Sequence, residues 1–136
     1  MSLDPGAVSA QLSQFFETHL PITQFMKMDV ESYDGETLIL RAPLGPNIND
    51  KQTAFGGSLY NAAVMACWGM AHLKTLEAGI EDNQVVTKGC IEDKSAGHGD
   101  IRAISHAPSQ DVLDQFLNSL LLTLNTKAAR ASHSMR

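Results

Sequence analysis

The stretch from Ala54 to Leu73 constrains this chain more than any other, because it has the length of a long helix and no polar face. Over ~20 residues its polar groups are Asn61, His72 and a few hydroxyls. A helix apolar nearly all round belongs either in a bilayer or in a protein core. This one contains Gly56, Gly57 and Gly69, is rich in alanine rather than leucine, and lacks aromatic or basic flanks. The core reading follows. Small residues at Ala62, Ala63, Ala66 and Gly69 allow a neighbouring element to come close. Gly79 stands just past the helix, where a left-handed residue commonly ends one. What wraps this helix then decides the fold.

The flanking patterns supply the wrapping. Asp4-Pro5 reads as N-cap and first helical residue, followed by an apolar stripe at Val8, Leu12, Phe15 and Phe16, with Pro21 as the stop. From Phe25 to Tyr33 the period is two, with Met26, Met28 and Val30 on one face. Asp34-Gly35 predicts a type I′ hairpin turn, and Glu36 to Ala42 the returning strand with Leu38 and Leu40 inward. Pro43 to Thr53 is a loop. Gln84 to Glu92 and Gly99 to Ala107 read as two more strands, joined by a loop over residues 93–98. Ser109 caps a late helix carrying Val112, Phe116, Leu117, Leu120, Leu121 and Leu124 on one side. Beyond Thr126 the pattern weakens to at most a short strand, Lys127 to His133. Together these predict one α+β domain over residues 1–136, an antiparallel sheet wrapped around a long central helix. A sheet covers one side of a helix, so a second copy is the expected cover for the other, giving a homodimer or a dimer of dimers.

Charge removes several classes of partner. A net charge of −5 leaves no basic face for nucleic acid and no attraction to an anionic membrane. Hydrophobic residues at 43% are enough for a core, so a folded rather than disordered chain is expected. Cys67 and Cys90 are far apart and form no ligand pair, which predicts two packing thiols in a reducing cytoplasm. The five histidines have no metal spacing, and no metal site is expected. Met-Ser-Leu-Asp-Pro has no signal-peptide layout.

The segment Asn49-Asp-Lys-Gln-Thr53-Ala-Phe55-Gly56-Gly57-Ser58 resembles the signature of hotdog-fold thioesterases, in which Asn and Thr precede a Gly-Gly that opens the central helix. It is most similar to a subgroup often fused behind an acetyltransferase domain, through Pro46-Asn47-Ile48-Asn49, Thr53, Phe55 to Ser58, and Trp68-Gly69-Met70. The resemblance spans roughly residues 15–118, with 43–70 its specific part. It implies a hotdog fold and hydrolysis of acyl thioesters of coenzyme A or acyl carrier protein, with coenzyme A as part of the substrate and no other cofactor. Against the pattern, Val64 stands where the family usually has a helical carboxylate, and the two long closing strands are missing.

Thioester hydrolysis needs a polarised carbonyl and a placed water. The unpaired N–H groups at a helix start can do the first, and glycine lets the oxygen approach. Gly57, with Ser58, is the candidate oxyanion site; Asn49 is the candidate for orienting water, and Asp50 for the base. Phe55, Gly56, Thr53 and Tyr60 are candidates for lining the substrate site. Glu92 and Asp93 are candidates for reaching it across a dimer interface. The alternatives are a non-catalytic acyl-binding module, favoured by Val64, and a hotdog dehydratase, disfavoured because Phe55 replaces the needed His.

Overall fold

The computed structural model describes residues 4–81, 84, 89–90, 92 and 94–134, those after 122 by backbone alone. Helix α1 (Pro5–His19) opens as its first residues dictate: Pro5 occupies the first helical position and Asp4 Oδ2 accepts from Ala7 N at 3.1 Å. Its stripe of Val8, Leu12 and Phe16 is buried. Pro21 does more than stop this helix. It starts a second, single-turn helix, α2 (Pro21–Phe25), because its fixed φ suits a first helical position. Buried Thr23 donates its hydroxyl to Leu20 O at 2.7 Å, and Lys27 takes a left-handed φ of 51° beyond the turn. The strand expected from Phe25 therefore begins only at Asp29.

Strands β1 (Asp29–Tyr33) and β2 (Thr37–Ala42) form the expected hairpin, with two local corrections. The pairing runs Val30 with Leu40, then Ser32 with Ile39, so Glu31 is a bulge. The inserted residue flips the phase and turns Tyr33 inward instead of Ser32. The turn is not type I′, since Gly35 has φ 98° whereas Asp34 does not take positive φ. Asp34 instead accepts from Glu36 N and Thr37 N through Oδ1, at 2.8 and 2.7 Å, closing a longer turn with its side chain.

Strand β3 (Ile101–His106) pairs antiparallel with β2, giving the order β1-β2-β3. Leu38, Leu40, Ala42, Ile101 and Ala103 present one apolar face. On it lies α3 (Gly56–Glu77), through Ala62, Met65, Ala66, Gly69, Met70 and Leu73. Gly69 is where this packing needs a small residue, as a Cβ there would stand 3.0 Å from Leu38 Cδ2 and 3.3 Å from Leu12 Cδ2. The helix ends as predicted. Gly79 adopts φ 69°, Gly79 N donates to Leu76 O at 3.0 Å, and Ile80 N donates to Thr75 O at 2.9 Å. Its last turn is tied to the hairpin: Tyr33 Oη donates to Glu77 Oε1, and Lys74 Nζ donates to Gly35 O and to Glu77 Oε2.

Helix α4 (Gln110–Ser134) replaces the short strand expected over Lys127 to His133. That segment has neither Gly nor Pro to stop a helix, and it is rich in alanine and basic residues that favour one. The helix buries Leu113, with Leu117 and Leu120 half-buried, whereas Val112, Phe116 and Leu121 are exposed. Cys67 and Cys90 are both exposed free thiols and not the packed ones expected. The strand expected over Gln84 to Glu92 lies largely outside the described residues. Among the described residues no helix is long and apolar enough to cross a membrane.

Candidate active site

The chain reaches α3 through a loop braced by two asparagines. Asn49 Oδ1 accepts from Lys51 N at 2.9 Å and Thr53 N at 3.0 Å, while Nδ2 donates to Thr53 Oγ1 at 2.9 Å. Its backbone N–H donates to Thr53 O at 2.8 Å. Gln52 takes φ 63° at the tip, and Ile48 bridges Ala54. Asn49 and Thr53, both picked out from sequence, thus act on each other. One Nδ2 hydrogen of Asn49 remains available to a ligand or water.

A second amide holds the ends of the loop. Asn47 is only 2% exposed, and its Nδ2 donates to Met26 O at 2.9 Å and to Pro43 O at 2.8 Å. Its backbone oxygen accepts from Phe55 N at 2.8 Å, and Ala54 N donates to Gly97 O at 2.8 Å. Sequence reasoning named Asn47 only as part of a motif. Its chemical signal, an amide able to give two N–H groups, is shared by every turn asparagine.

Phe55 is the N-cap residue of α3, extended at φ −67° and ψ 131°, with no side-chain cap bond. The first α-helical bond of this end runs from Leu59 N to Phe55 O at 3.0 Å, so the N–H groups of Gly56, Gly57 and Ser58 precede the helical ladder. Both glycines are exposed and Ser58 is half-buried. The Phe55 ring, 54% exposed, lies across Gly57: a Cβ on Gly57 would be 2.5 Å from its Cε1. These N–H groups, at the positive end of a helix of 22 residues, can receive a carbonyl oxygen or other acceptor.

The other described candidates are solvent-exposed. The Asp50 side chain is 84% exposed, with Lys51 Nζ 3.8 Å away. Tyr60 is 37% exposed, and its hydroxyl lies against Gly89, where a Cβ would be 2.7 Å from the oxygen. Glu92 is exposed, and Asp93 lies outside the described residues. The first turn of α3 holds no acid. Among the described residues no three His, Cys, Asp or Glu side chains gather as a metal site would need. Far along α3, Trp68 stacks on His72 (ring centres 4.8 Å apart) and on Phe15 (5.3 Å) beside a groove of about 470 Å³. Burial holds the His72 imidazole below its ordinary pKa. That groove is ~22 Å from Gly57 along the helix, at 1.5 Å per residue, and is separate from the loop–helix junction.

An antiparallel sheet packed against a long central helix is consistent with a hotdog-like thioesterase fold. Residues 9–133 match the family described as "Putative thioesterase (yiiD_Cterm)", and the chain belongs to that family. A crystal structure of a protein of unknown function from Chlorobaculum tepidum TLS is similar at 63% identity and TM-score 0.85, covering 87% of this chain and 72% of that one. A crystal structure named as the "putative thioesterase from Shewanella oneidensis" is similar at 25% identity and TM-score 0.73, covering 77% of this chain and 73% of that one.

Proposed function

We propose that this chain hydrolyses acyl thioesters of coenzyme A or of acyl carrier protein, with the thioester carbonyl seated on the free N–H groups of Gly57 and Ser58. The observation that carries this reading is the uncapped start of α3, where exposed glycines leave those donors open to an acceptor. A donor aimed at the developing oxyanion typically contributes ~3–4 kcal/mol of transition-state stabilisation. Phe55 and Gly56 flank that position, and Phe55, with Tyr60, offers apolar surface to the acyl group. Asn49 directs its remaining N–H to the attacking water, and Thr53 fixes the orientation of that amide. Asp50 is the nearest carboxylate along the chain and serves as the base, from the solvent side. The other side of α3 exposes Tyr60, Ala63 and Cys67 at one-turn spacing, a face that a second copy covers in a homodimer of the cytoplasm.

A second reading has one observation in its favour. The first turn of α3 lacks an acid and Val64 follows, so a binding module that retains acyl-CoA without cleaving it also fits. The two separate on released thiol from a panel of short to long acyl-CoAs. The hydrolase reading expects saturable turnover that falls at least ~10-fold in Asn49→Ala, as loss of a positioned group typically does. Raised melting temperature with acyl-CoA but no thiol release supports the binding module. Neither turnover nor binding across the panel rejects coenzyme A as carrier.

A further inference from the structure

We infer that Asn47 is a positioning residue that fixes where the free N–H groups of α3 stand. The inference rests on the hydrolase reading and deepens it. Asn47 ties both ends of the loop to the core. Its Nδ2 holds Pro43 O, at the start of the loop, and Met26 O, between α2 and β1. Its backbone oxygen holds Phe55 N, the residue that opens α3. The second turn of α3 touches the same neighbour, since Asn61 Nδ2 lies 3.0 Å from Met26 Sδ. Moving Asn47 therefore moves the helix start relative to the sheet.

The residue type follows from the partners. Two carbonyl oxygens converge on one buried side chain, so it must give two N–H groups while carrying no charge; asparagine does this in the space available. The same pair of acceptors settles which end of the amide is nitrogen. The cost is that Oδ1 is buried without a partner among the described residues. A carboxylate at this position would face two carbonyl oxygens and release both. Asn49, by contrast, binds within its own turn, from Lys51 to Thr53, among the described residues. The two asparagines therefore divide the work: one shapes the loop tip and the other places the helix.

The test compares wild type with Asn47→Asp and Asn47→Ala, and with Thr75→Val as a control that removes a buried hydroxyl at the far end of α3. All are assayed at a temperature where circular dichroism finds each fully folded. For acyl-CoA hydrolysis, kcat is expected to fall at least ~10-fold in both Asn47 variants with KM changed less than ~3-fold, and to be kept in Thr75→Val. A readout independent of turnover accompanies it. Amide exchange at Phe55 and Leu59 is expected to quicken at least ~10-fold in the Asn47 variants, while Leu38 and Leu40 keep their protection. If wild type cleaves no acyl-CoA, hydrolysis with coenzyme A as carrier is rejected, and the exchange result still decides the role of Asn47. Unchanged protection at Phe55 and Leu59, or kcat retained in folded Asn47→Asp, would overturn the inference.

Discussion

Gly57 is where the chemistry and the packing can be separated by one methyl group. Its Cβ in Gly57→Ala would enter the space of the Phe55 ring, 2.5 Å from Cε1, but that ring is more than half exposed and can swing out. Alanine also favours the helix. The melting temperature of Gly57→Ala is therefore expected to move little, within about 0.5–1 kcal/mol in stability. Turnover of acyl-CoA is expected to drop at least ~10-fold, because the methyl and the displaced ring intrude where the carbonyl must approach. Equal losses of stability and activity in this variant would contradict the assignment. The place of Gly57 at the start of α3 was legible in sequence because Gly-Gly before an apolar helix is a local pattern. Asn47 was not, because its burial depends on Met26 O and Pro43 O, and contacts made by a fold leave no mark on a loop asparagine. Asp50 was legible only as a residue type. Its exposure is set by a loop that turns its side chain outward.

At the scale of elements, the joint between the hairpin and the end of α3 carries a pH signature. Burial of Tyr33, then its hydrogen bond to Glu77 and the charge of that carboxylate, push the phenol above its ordinary 10.0. The folded state therefore holds this proton more tightly than the unfolded state does. The stability it contributes is complete below pH ~10 and is lost as pH rises from there through the raised value. Melting temperatures of wild type are expected to fall more steeply between pH 9 and 11 than those of Tyr33→Phe; parallel slopes would contradict the coupling. Local signals announced most of the elements involved: Asp4-Pro5, Asp34-Gly35 and the glycine stop at Gly79. The bulge at Glu31 was not legible, since a register shift belongs to a pair of strands and not to either sequence. A one-turn helix such as α2 is too short for periodicity to register, and the alanine-rich end of α4 shows no apolar stripe although its propensity is helical.

At the scale of the molecule, the sheet and α1 cover one side of α3 and leave Tyr60, Ala63 and Cys67 exposed. The dimer proposed on that face predicts a mass in solution twice that of the chain, by light scattering. Ala63→Arg should return the mass of one chain by placing an unpaired charge in the contact. A monomeric wild type would remove the dimer from the account and leave the site to be completed by one chain. The fold class was legible because strand patterns flank an apolar helix opened by glycines, a combination that fits few architectures. The proposed hydrolysis depends on what that helix start does to a thioester. The most direct measurement is difference infrared spectroscopy of an acyl-CoA carrying a ¹³C-labelled thioester carbonyl, bound to the slowed Asn49→Ala variant. The account predicts a carbonyl stretch at lower wavenumber than in water, reversed when Gly57→Ala is added. A bound carbonyl absorbing at its frequency in water would contradict it.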